Sequence, residues 1–169
     1  MEVIDEVGLD CPQDTVTELV RSVLDAEGAQ GGMVVVFVDE PEIAELNGRY
    51  RGLDEPTDVL SFGSADDDAD WPDWPDWPSQ GLPVENGLVE GEIVPDLGEV
   101  IVCPAVVRRY AAEDGRDAGR QLGWTIIHGV LHLLGYDHEG DEEGMRRREQ
   151  ALLKKLEDVV SALSPSAKV

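Results

Sequence analysis

Three histidines carry the metal chemistry this chain can offer, and all of them stand in one window, H-G-V-L-H-L-L-G-Y-D-H, from His128 to His138. His128 and His132 are four residues apart, so on a helix both imidazoles leave one face, a turn from each other. Gly135 suits the left-handed residue that ends a helix. The turn Gly135-Tyr136-Asp137 can then swing His138 back toward the same point. Three neutral imidazoles and one open position form the donor set of a catalytic Zn²⁺ site, although nickel, copper or iron would also be accepted. In the H-E-x-x-H pattern of zinc peptidases the general base is a glutamate at the second position. Here that position is Gly129, so a peptidase would need its base from elsewhere.

The elements that hold these residues follow from periodicity. Asp117 to Leu134 reads as a strongly apolar helix ended by Gly135. Glu2 to Leu9 alternates like a strand, and Pro12 opens a helix with the core-facing stripe Val16, Leu19, Val20, Val23 and Leu24. Met33 to Val38, MVVVFV, reads as a buried strand. Asp39 and Glu42 form a capping-box pattern for a short helix to about Asn47. A polar loop, Asn47 to Thr57, runs into a strand from Asp58 to Phe62. Leu97 to Cys103 is a further strand, and Ala105 to Ala112 is helical. A final helix starts near Asp141, with the stripe Met145, Leu152, Leu153, Leu156, Val160 and Leu163.

Between the last two strands, residues 63–96 form an exposed acidic loop with W-P-D-W-P-D-W-P at Trp71 to Pro78. Trp71, Trp74 and Trp77 suit a polyproline-like strip that stacks bases or docks on a protein, or a spacer without a role. The expected architecture is α+β: a single domain over residues 1–164, a small mixed sheet packed with helices, and a zincin-like helix carrying H-x-x-x-H. Residues 165–169 form a loose tail.

Length fits one compact domain, at 169 residues. No apolar run approaches the roughly 20 residues of a membrane span, and the N-terminus has no secretory pattern. The expectation is a cytoplasmic protein without a membrane partner. Cys11 and Cys103 stand in apolar surroundings and read as small buried hydrophobes. Lys plus Arg is 13 and Asp plus Glu is 37, a formal net charge of −24. Taken alone, that balance opposes nucleic-acid binding. It leaves room for a pocket that engages a short strand through a metal and a few arginines. The runs Arg108-Arg109 and Arg146-Arg147-Arg148 read as solvated helix faces.

Three blocks together resemble the YbeY family of bacterial rRNA maturation factors: Leu46 to Phe62 with P-T-D-V-L-S-F, L-G-E-V-I-V-C at Leu97 to Cys103, and the histidine window. The resemblance covers Leu46 to about Gln150; the N-terminal part fits in element order only. It implies a zinc-bound endoribonuclease acting on single-stranded RNA in rRNA maturation, notably at the small-subunit 3′ end, and in ribosome quality control. It implies His128, His132 and His138 as metal ligands and a functional arginine at Arg51. A guanidinium offers planar donors to two phosphate oxygens, which lysine cannot mimic. Arg49 is a weaker neighbour for substrate contact. Thr57 and Asp58 fix the start of their strand by local bonds, and Asp58 or Asp137 could also hold a ligand's imidazole N–H. The acidic balance suggests delivery by a ribosomal protein or an assembly GTPase. The rival readings are a zinc peptidase and a non-catalytic ribosome-assembly factor with a structural zinc.

Overall fold

The structure, a computed structural model, describes residues 1–9, 12–64, 95–136 and 138–164, and of residues 138–141 the backbone alone. Among the described residues four strands form one sheet: β1 (Glu2–Asp5), β2 (Gly32–Phe37), β3 (Val59–Gly63) and β4 (Asp96–Val102), in the order β1-β2-β4-β3. β1, β2 and β4 are parallel, and β3 runs antiparallel along β4 with Val59 opposite Val102. The helices are α1 (Gln13–Glu27), α2 (Glu40–Arg51), α3 (Pro104–Asp114), α4 (Ala118–Leu133), α5 (His138–Lys155) and α6 (Glu157–Ser161). A mixed sheet packed with helices is the α+β architecture expected.

Successive strand residues face opposite sides, so the continuous apolar run of β2 feeds two cores. Val35 and Phe37 join Val100 and Val102 of β4 beneath α1, α4, α5 and α6. Val36 and Val38 join Leu60, Ile101 and Cys103 against Ile43 and Leu46 of α2. Both faces are covered, which is why MVVVFV shows no polar alternation. Cys103 is fully buried, as expected of a small apolar residue, and burial pushes its thiol up from the ordinary value.

Three boundaries differ from the sequence expectation. β1 ends at Asp5 instead of Leu9, because the Asp5 carboxylate takes the N–H groups of Val7 (3.1 Å) and Leu9 (2.7 Å) and turns the chain. α2 continues past Asn47 to Arg51 and is capped by Gly52 at φ 71°, so Asn47 to Arg51 is helix where a loop was expected. The final helix starts at His138 and divides at Leu156, and α6 turns onto the glycine face of α4. A Cβ on Gly123 would stand 2.9 Å from Val160 Cγ1, and one on Gly119 would run into Ser164. The acidic stretch with Trp71, Trp74 and Trp77, the tail 165–169 and Cys11 lie outside the described residues.

Candidate metal centre

α4 is built to lie flat on the sheet. Its N-cap, Asp117, accepts from the Arg120 N–H at 2.9 Å and from Ser164 Oγ at 2.7 Å. Those bonds, the backbone one first, hold the Asp117 carboxyl below the usual range. At the other end Gly135 adopts φ 93° and Tyr136 N–H returns to the Leu131 carbonyl at 3.1 Å, the glycine-terminated end anticipated from sequence. In between, Gly129 touches the sheet. A Cβ there would be 2.6 Å from Val100 Cγ1 and 3.2 Å from Ser61 Oγ, and the Gly129 carbonyl accepts from Ser61 Oγ at 3.1 Å. The position that would hold a peptidase's glutamate is therefore pressed against β3 and β4, with no room for a side chain.

Beside Gly129, His128 and His132 meet through their Nε2 atoms, 3.1 Å apart, with ring centroids at 4.6 Å. Two imidazoles sharing one tetrahedral zinc at 2.0–2.1 Å would bring their nitrogens to about 3.3 Å. The observed spacing fits that donor pair. Behind His128 stands Glu149 of α5, its Oε1 2.6 Å from Nδ1. The Glu149 side chain is 7% exposed and that of His128 14%. The second carboxylate oxygen, Oε2, accepts from Trp124 Nε1 at 3.1 Å, and the Trp124 and His128 rings lie 5.0 Å apart. Neither Glu149 nor Trp124 was singled out from sequence. Glu149 carried a signal: it lies four residues after Met145 and three before Leu152, a charge on the buried stripe of α5.

Tyr136, after the end of α4, and Arg148 of α5 are both tied to the end of α1. Tyr136 Oη donates to Glu27 Oε2 at 2.7 Å, a bond that with burial raises the phenol's pKa. Arg148 Nε donates to the other Glu27 oxygen, and its Nη2 donates to the Ala26 carbonyl at 3.0 Å. Arg146 and Arg147 are exposed and pair with Glu142 and Glu143 one turn back, as solvated residues do. Arg148 is the exception to that expectation, half-buried and holding the end of α1. His138 opens α5, but its side chain and all of Asp137 lie outside the described residues, so the described part of the centre is the His128–His132 pair. Among the described residues no group of three His, Cys, Asp or Glu side chains could hold a metal ion.

Arg51 is the last residue of α2 and is exposed; Arg49, also exposed, pairs with Glu45 at 3.2 Å. α2 packs on the opposite face of the sheet from α4. The two helices nevertheless flank the same point of β3, the outer strand among the described residues. Ser61 bonds to Gly129 on one face, and its neighbour Phe62 stacks edge-on with Tyr50 on the other, at 4.7 Å. Asp58 accepts from Thr57 Oγ1 at 3.3 Å, and its carbonyl takes the Cys103 N–H at 2.9 Å, the local role at the start of the strand. The structure thus brings His128 and His132 together, while Arg51 ends α2, the helix packed on the opposite face of the sheet.

Residues 5–157 match the family model described as Endoribonuclease YbeY. A protein named Endoribonuclease YbeY from Pelotomaculum thermopropionicum is 40% identical over 144 residues, covering 83% of this chain and 83% of the relative. One of the same name from Halorhodospira halophila is 37% identical over 152 residues, covering 88% and 86%. The solution structure of TM1509 from Thermotoga maritima aligns over 99% of this chain and 98% of its own, with TM-score 0.55 and 26% identity.

Proposed function

The chain belongs to the Endoribonuclease YbeY family, and from that premise we propose that it is a zinc-dependent endoribonuclease acting on single-stranded rRNA. The processing of the small-subunit rRNA 3′ end and ribosome quality control are its proposed roles, in the cytoplasm. The observation that carries this reading is the convergence of His128 Nε2 and His132 Nε2 at 3.1 Å on the helix that the family match includes. His138, at the start of α5, is the proposed third ligand, and bound zinc would supply Lewis-acid chemistry and lower the pKa of a water or hydroxyl group.

The chain's own residues have separate tasks. His128 and His132 present neutral nitrogens, and Glu149 braces the first of them. Arg51 neutralises phosphate charge through two parallel N–H donors. A single strand laid across the β3 edge meets the histidines on one side and Arg51 on the other, with Arg49 as a further contact. A net charge of −24 opposes strong unaided RNA binding. That balance favours the proposed delivery by a ribosomal protein or an assembly GTPase. The peptidase alternative loses its base, since position 129 has no space for a carboxylate.

Arg51→Lys separates catalysis from a scaffolding role with structural zinc. The charge is kept and the fork is lost, so RNA cleavage falls by roughly 10²-fold, the scale of one lost transition-state donor. Zinc content and thermal unfolding stay as in the wild type. Unchanged cleavage in Arg51→Lys would remove the arginine from the reaction.

A further inference from the structure

We propose that Glu149 is the positioning residue of the metal centre. Its carboxylate fixes the His128 ring with the proton on Nδ1, so that Nε2 faces the point shared with His132. The inference rests on the zinc reading above and extends it to a residue on a different helix.

Three observations converge on it. A carboxylate 7% exposed needs a partner for each oxygen. Oε1 meets His128 Nδ1 at 2.6 Å and Oε2 meets Trp124 Nε1 at 3.1 Å, so the group is locked from both ends. Trp124 and His128 are four residues apart on α4, and Glu149 therefore spans one full turn of the metal helix. An acceptor-only group at Nδ1 selects the tautomer in which that nitrogen carries the hydrogen, leaving the Nε2 lone pair for the metal. The charge also raises the basicity of the ligand nitrogen.

The neighbouring residue shows why Glu149 cannot drift. Arg148 is bound to Glu27 and to the Ala26 carbonyl at the end of α1, so α5 is anchored one residue before Glu149. Glu149 sits on the buried stripe between Met145 and Leu152, both less than 2% exposed. A role in packing alone would be served by an apolar side chain at that position.

The test measures Zn²⁺ affinity by competition with a chromophoric chelator in wild type, Glu149→Gln and Trp124→Phe, together with the ¹⁵N spectrum of the imidazoles. Glu149→Gln weakens Zn²⁺ binding by roughly 10- to 100-fold, the usual effect of losing the group behind a ligand. Trp124→Phe, which leaves the His128 contact in place, weakens it less. In the wild type His128 appears as the single Nδ1–H tautomer, and in Glu149→Gln as a mixture. Zn²⁺ affinity of Glu149→Gln within about twofold of wild type would overturn the proposal while leaving the zinc reading intact. A wild-type His128 protonated on Nε2 would overturn it without any variant. Failure of the wild type to bind Zn²⁺ would overturn both.

Discussion

Glu42 lies in the first turn of α2, where the helix dipole favours negative charge, yet its carboxyl holds its proton up to about 7. Burial is the first cause, followed by the charges of Glu6 and Asp39 and a hydrogen bond to Glu6. Because the folded value lies above the ordinary 4.5, the protonated group favours the folded state, fully so below pH 4.5. That contribution is lost as pH rises through about 7. Urea unfolding from pH 4.5 to 7.5 should show the wild type losing stability relative to Glu42→Gln, which cannot ionise. A constant difference between the two across that range would contradict the assignment. Asp117 acts with the opposite sign: its lowered carboxyl stabilises above the ordinary value of 3.8 and loses that contribution as pH falls. At this scale the shared face of His128 and His132 was legible because their four-residue spacing alone defines it. Glu149 was not, because its partners lie 21 and 25 residues away and only packing joins them.

Among the elements, α4 and α2 show what a helix owes to its surroundings. Gly129 is a poor helix former, and replacing it by alanine would ordinarily gain about 0.5–1 kcal/mol. Here the added Cβ would meet Val100 Cγ1 at 2.6 Å, and Val100 is fully buried. Overpacking of this kind costs about 1–3 kcal/mol, so Gly129→Ala should lower stability by up to about 2.5 kcal/mol net. Chemical denaturation checks the sign; a stabilised variant would show that α4 does not rest on β4 as described. The limits of α4 could be read from Asp117 and Gly135 because each makes its own cap. The extension of α2 could not: Gly48 and two arginines suggested a loop, and what keeps them helical is Tyr50 stacking on Phe62 together with the Gly52 cap. The start of α5 was missed for a similar reason, since nothing in His138 to Gly140 marks a helix locally.

For the molecule as a whole, the apolar runs announced strands and helices in one domain, but not how the strands pair. β3 and β4 follow one another among the described elements and pair antiparallel, whereas β2 and β4 are parallel neighbours across α2 and β3. That order depends on contacts such as Ser61 with Gly129, 68 residues apart, which no local pattern encodes. Among the described residues β3 is the outer strand, with Ser61 bonded to Gly129 of the histidine helix on one face and Phe62 against Tyr50 of α2 on the other. Zinc dependence is decided by cleavage of a single-stranded RNA by the purified protein after zinc chelation and again after Zn²⁺ is restored, with His132→Ala in parallel. Chelation is expected to abolish cleavage, about one Zn²⁺ per chain to restore it, and His132→Ala neither to retain the metal nor to recover. Cleavage that survives chelation, or that His132→Ala performs at the wild-type rate, would contradict it.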